Sequence, residues 1–135
     1  MPVWRIMCFH NERGRDLFSE AYARQTARAR AKFRVTIEVL RDQPTIEGWS
    51  RQNGFDPLTG KKYRRYHGLG KIRFKTPDAA HRPLGFFGPA QGTFTLLVWA
   101  TERDGQFDPP NVLETALHRM REVENNSGLA NECNF

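Results

Sequence analysis

Residues 93–101 read TFTLLVWAT, with apolar side chains on both faces of an extended chain. A strand patterned this way predicts a buried position at the centre of a sheet, because neither face is fit for water. The rest of the chain supplies what surrounds it. VWRIMCF (3–9) predicts a first strand, and the polar HNERGRD after it a turn or loop. From about Leu17 to Arg41 the apolar period becomes helical: Tyr22, Thr26, Ala29, Phe33, Thr36, Ile37 and Leu40 share one face. The segment fits one long helix or a short helix followed by a longer one, and Pro44 ends it. Val35 and Val39 lie off the apolar face, which predicts burial on more than one side in the C-terminal half. Residues 45–66 predict a long connection with a helical turn around Ile46 to Gln52.

HGLGKIRFK (67–75) predicts strand two and HRPLGFFGP (81–89) strand three. Pro83 has no N–H, so strand three is at an edge or bulged there. Residues 108–124 predict a helix with Asp108 as a cap candidate, prolines at its start, and a stripe of Leu113, Ala116, Leu117, Met120 and Val123. The order predicts an α+β fold: a small, mainly antiparallel four-stranded sheet packed by an N-terminal helix or helical hairpin and a C-terminal helix. One domain over 1–124 is expected, with 125–135 a flexible tail.

Hydrophobic residues make up 39% of the chain, with 10 Phe, which suffices for a core and argues against disorder. The net charge of +6 favours an anionic partner: nucleic acid, an acidic protein or a membrane surface. Cys8 and Cys133 allow one bridge between the chain ends or two free thiols; a reducing cytosol predicts the thiols. No Cys/His spacing suits zinc, and no run is apolar enough to span a bilayer. The expectation is a soluble cytoplasmic protein with no cofactor.

Strand two carries the most pointed chemical pattern. Alternation puts Ile72 and Phe74 on one face and Lys71, Arg73 and Lys75 on the other, the cations about 7 Å apart. That approaches the phosphate spacing of an extended single-stranded nucleic acid; a solvated sheet face fits the same pattern. Upstream, Lys61, Lys62, Arg64 and Arg65 are interleaved with Tyr63, Tyr66 and His67. Arginine on phosphate with tyrosine stacked on an unpaired base suits RNA; an ordinary charged loop has the same composition. Gly68 and Gly70 read as turn and strand-entry residues, or as a close backbone approach to a ligand. His67 and His81 flank strand two and the turn after it, as acid–base candidates or plain loop histidines. His118 reads as a surface residue, and Glu102, Asp104 and Asp108 crowd the turn before the last helix without forming a catalytic pair.

Together these segments resemble the RelE/HigB-like toxins of bacterial toxin–antitoxin systems, particularly the phage-derived HigB-type branch. HGLGKIRFK resembles that family's Gly-Leu-aromatic-Glu-Leu-Arg strand, HRPLGFFGP the strand that opens with arginine and runs into aromatics, and residues 93–124 the hydrophobic strand, turn and Pro-initiated helix. The helical segment ending in EVLRDQP takes the place of the family's helical hairpin. The resemblance implies a metal-independent endoribonuclease that cuts messenger RNA, usually on the ribosome, by attack of a 2′-hydroxyl on the adjacent phosphate. It implies a cognate antitoxin, of helix-turn-helix type, as partner. By position, Arg73 and Arg82 match family arginines at the active surface; Lys71 and Lys75 join them as phosphate contacts, with His67 and His81 as acid–base candidates. Lys61, Lys62, Arg64, Arg65, Tyr66 and Arg103 are the RNA-binding candidates. The chain departs from the pattern at Gly70 and Lys71, which replace an aromatic and a Glu, at Pro83, and in the final turn, where Arg103 is the only cation.

Overall fold

A computed structural model describes residues 3–135. The apolar run folds as β7 (Thr93–Val98), with Phe94, Leu96 and Leu97 fully buried. On one side it pairs in parallel with β1 (Arg5–Phe9); on the other it pairs antiparallel with β6 (Leu84–Phe87). The sheet continues through β3 (Leu69–Ile72) to β2 (Phe55–Pro57), and beyond β1 to β10 (Ala130–Glu132). Its order is β10-β1-β7-β6-β3-β2. A second, wholly antiparallel sheet has the order β4-β5-β8-β9, from β4 (Phe74–Lys75), β5 (Ala80–His81), β8 (Thr101–Arg103) and β9 (Gln106–Asp108).

The two sheets share three chain segments. Each segment breaks pairing once, at Arg73, at Arg82–Pro83 and at Trp99–Ala100. Backbone bonds bridge the breaks, Ile72 N–H to the Pro83 carbonyl at 2.8 Å and Arg82 N–H to that of Ala100 at 2.7 Å. Pro83 thus sits at an interruption inside the sheet, as its missing donor requires. The class is α+β as expected, and a four-stranded antiparallel sheet is present. The larger sheet is a correction: it has six strands and a parallel β1–β7 pair. Its outer strands are three residues long, too short for a period-two signal.

Helices cover both faces. α1 (Leu17–Ala23) and α2 (Ala27–Arg41) form the expected short-then-long pair, started by Asp16, which accepts from Ser19 N–H at 2.8 Å, and Thr26, which accepts from Ala29 N–H at 3.1 Å. With α3 (Ile46–Ser50) they bury Phe18, Phe33, Ile37, Leu40 and Trp49 against Phe94 and Leu96. α4 (Val112–Asn125) buries Val112, Ala116, Leu117, Met120 and Val123 against Leu84 and Leu97 on the opposite face. Asp108 ends β9 instead of capping this helix; its N-cap position is Asn111. Val35 and Val39 are 65% and 47% exposed, so α2 buries one face only.

The C-terminal segment is also corrected. β10 pairs antiparallel with β1, and Cys133 bonds Cys8 across a Cα–Cα distance of 5.0 Å. The expected free thiols are a disulfide, because pairing of the chain's two ends brings the cysteines within bonding reach. No helix among the described residues is long and apolar enough to cross a membrane.

Candidate functional site

The breaks between the sheets bring Lys71 and Arg82, from two different chain segments, onto one carboxylate. Lys71 leaves β3 with its Nζ 3.5 Å from Glu102 Oε1, and Arg82, at the next break, places Nε 2.8 Å from the same oxygen. All three side chains are largely buried, at 14%, 10% and 14% exposure for Lys71, Arg82 and Glu102. Arg82 also donates from Nη1 to the His81 carbonyl at 2.8 Å, and Lys71 Nζ lies 5.7 Å from the centre of the Phe107 ring. Burial alone would push the Glu102 carboxyl up; the Arg82 hydrogen bond and the charges of Lys71 and Arg82 outweigh it and hold it below the usual carboxylate range. The result is an ionised carboxylate between two cations, with one positive charge in excess.

Glu102 opens onto a groove of ≈ 990 Å³ between the turn after β4 and the β8–β9 hairpin. Lys75 and Arg103 line it, and so do Asp78, Asp104 and Asp108. Neither Lys71 nor Arg82 lines it; both reach it only through Glu102. The described residues hold no cluster of three or more His, Cys, Asp or Glu suited to a metal ion.

Arg73 goes elsewhere. Its Nε is 2.8 Å from Asp56 Oδ2 on β2, an ion pair whose N–H is not aligned for a hydrogen bond. The expected row of Lys71, Arg73 and Lys75 is therefore split three ways: to Glu102, to Asp56 and to solvent, where Lys75 is exposed. The physical reason is the break at Arg73, where the residue leaves the ladder and donates its N–H to the Gly54 carbonyl at 2.8 Å.

The two candidate histidines have different settings. His81 is 6% exposed; its Nδ1 accepts from Trp99 Nε1–H at 3.1 Å, which puts the ring proton on Nε2, 3.3 Å from Thr76 Oγ1. Its ring stacks on Phe74 with centroids 4.9 Å apart. Burial, then the Arg82 charge, lowers its pKa against the opposing pull of Asp78, so it stays neutral as part of the core. His67 is exposed, with Nε2 3.2 Å from the Gly60 carbonyl.

The basic 61–66 segment is a short 3₁₀ stretch that spans from the β8–β9 hairpin to α4. Lys62 Nζ reaches the Gly105 carbonyl at 3.5 Å; Arg65 and the Tyr66 hydroxyl both meet the Glu114 carboxylate. Lys61 and Arg64 are exposed and make no ion pair among the described residues, and neither does Arg103. Lys62 thus touches the hairpin that walls the groove, and Arg103 lies on it.

Sequence reasoning missed Glu102 as the centre of the cluster, counting it only among the acids of a turn. Its signal was being the first carboxylate after the apolar run of β7, in reach of any cation on a neighbouring strand. Asp56, the partner of Arg73, was missed in the same way inside a segment read as a connection. The sequence matches no family model and no curated protein.

Proposed function

We propose that this chain is the toxin of a toxin–antitoxin pair, of RelE/HigB-like fold, an endoribonuclease acting on messenger RNA at the ribosome. The observation that carries the reading is the convergence of Lys71 and Arg82 on one oxygen of Glu102, beside a groove that Lys75 and Arg103 line together with Asp78, Asp104 and Asp108. Lys71 and Arg82 do not line the groove, so an RNA phosphate oxygen reaches them only by displacing Glu102 and competing for the charge they now give it. The released carboxylate is then the base next to the bound phosphate. It accepts the 2′-hydroxyl proton as the 2′-oxygen bonds to phosphorus and the P–O5′ bond breaks, leaving a 2′,3′-cyclic phosphate on one fragment and, with a proton taken from water, a 5′-hydroxyl on the other. Lys71 and Arg82 stabilise the charge that develops on the phosphorane oxygens. Lys61, Lys62, Arg64 and Arg103 hold the strand on either side, with Tyr63 and Tyr66 beside unpaired bases.

The cytoplasm is the compartment of this reaction, and there thiols are kept reduced. The reading therefore requires the domain to stay folded with Cys8 and Cys133 as thiols. A second reading, RNA binding without cleavage, is favoured by one observation: Lys71, Arg73 and Arg82 are each already paired with a carboxylate. Induction in a bacterial host separates them. Growth arrest with cut messenger, abolished by Arg82→Ala together with Lys71→Ala, supports the nuclease. Salt-sensitive RNA binding with intact messenger supports the second reading.

A further inference from the structure

The outer face of α2 has no role in the cluster described above. Val35 and Val39, four residues apart, form an exposed apolar ridge on a protein whose other exposed large hydrophobics among the described residues are Val3 and Ile46. Two contiguous shallow grooves run along the ridge on its β4 side and share Val35 and Thr36. One, of ≈ 530 Å³, is completed by Ala31, Lys32, Phe74 and Lys75. The other, of ≈ 350 Å³, reaches Val39, Gly54 and Arg73. Their lining carries Lys32, Lys75 and Arg73 and no carboxylate. On the ridge's other flank the lining holds Arg34 together with Glu38 and Asp42, one negative charge in excess. Charge therefore changes sign across the ridge.

We infer that this face docks an amphipathic helix of a partner protein, with its apolar stripe on Val35 and Val39 and its Asp or Glu residues on the β4 side. Apolar residues at helical spacing on an accessible face are what a second amphipathic helix recognises. Lys32 and Lys75, beside Arg73 in its pair with Asp56, select acidic residues along one edge only, which fixes the helix's rotation about its axis. A two-fold dimer of this chain through the same face, with its axis across α2, would set Lys32, Arg73 and Lys75 near their own copies, which is repulsive; a second copy with its axis along α2 is separated by the titration below. RNA has no apolar stripe for the valines. The inference holds whether or not the groove at Glu102 cleaves RNA.

The test follows the protein's backbone amide resonances during titration with two synthetic helical peptides of about 18 residues. Both carry Leu at helical spacing; one has Glu along a single flank and the other Lys at the same positions. The Glu peptide is expected to shift amides around Val35, Val39, Phe74 and Gly54 saturably. The Val35→Asp, Val39→Asp double variant, altered only at exposed positions, is expected to melt like wild type and to bind about tenfold or more weakly. Equal binding of the Lys peptide, shifts confined to other surfaces, or no saturable shift overturns the inference. So do shifts at these residues that grow with protein concentration alone, since they identify a second copy as the occupant.

Discussion

Gly70 lies within β3, and its φ is not in the left-handed region, so its backbone admits any residue. What excludes a side chain there is Phe55. A Cβ built on Gly70 would sit 2.3 Å from Phe55 Cζ and 2.7 Å from Cε1. The ring is not free to yield. Phe55 is 1% exposed and packs edge-on against Trp49 at 5.4 Å, Phe87 at 5.7 Å and Phe94 at 5.9 Å. Gly70→Ala therefore overpacks the core at a cost of about 1–3 kcal/mol. The smaller entropy of the unfolded alanine chain offsets about 0.4–1 kcal/mol of that. The net loss is about 1–2 kcal/mol, which at about 0.28 kcal/mol per kelvin for a domain of this size lowers Tm by about 4–7 °C. Thermal melts of wild type, Gly70→Ala, Phe55→Leu and the double variant form a cycle. Leucine has no atom at the Cζ position, so the double variant should be more stable than the sum of the single losses predicts, by about 1 kcal/mol. A Gly70→Ala melt within about 1 °C of wild type, or strict additivity, refutes the steric account.

Reduction of Cys8–Cys133 should lower Tm without unfolding the domain at 25 °C. The sequence separation of 125 sets a chain-entropy ceiling of about 4–5 kcal/mol, read by melts with and without reductant, and identical melts contradict it. His81 has a folded pKa below its unfolded value of about 6.5, so the unfolded chain binds more protons and stability is lost as pH falls from about 6.5 through the folded value. The pH dependence of denaturant unfolding should flatten in His81→Gln, and an unchanged profile counts against a buried neutral ring. Replacing Lys61 and Arg64 by Ala should weaken single-stranded RNA binding and reduce its salt slope by about 1–2 in log–log units, whereas an unchanged slope places the RNA elsewhere.

The elements with long periodic signals were legible: the buried strand at 93–98, the paired α1 and α2, and the stripe of α4. The segments at 55–57 and 130–132 were not, because each becomes a strand only through a partner distant in the chain. Alternation correctly separated Lys71 from Ile72, yet it could not show that the strand breaks at Arg73 and sends neighbouring cations to different carboxylates. Gly70 looked like a strand entry, and the ring that explains it comes from Phe55 on an adjacent strand. His81 looked like a loop acid–base candidate, and only the indole of Trp99 reveals it as a core residue. Val35 and Val39 ran the other way: they read as buried and are exposed.

Glu102, held between Lys71 and Arg82, is the base we propose for the cleavage. The most direct measurement is the single-turnover rate and end chemistry of RNA cleavage by purified Glu102→Gln, on ribosomes, at a temperature where circular dichroism shows it folded. Wild type is expected to leave 2′,3′-cyclic phosphate ends. Glu102→Gln is expected to bind the same RNA at least as tightly, since two cations lose their internal counter-charge, while cleaving about 10²–10⁴-fold more slowly. Cleavage by Glu102→Gln at the wild-type rate, or intact RNA with wild type, contradicts that role for Glu102.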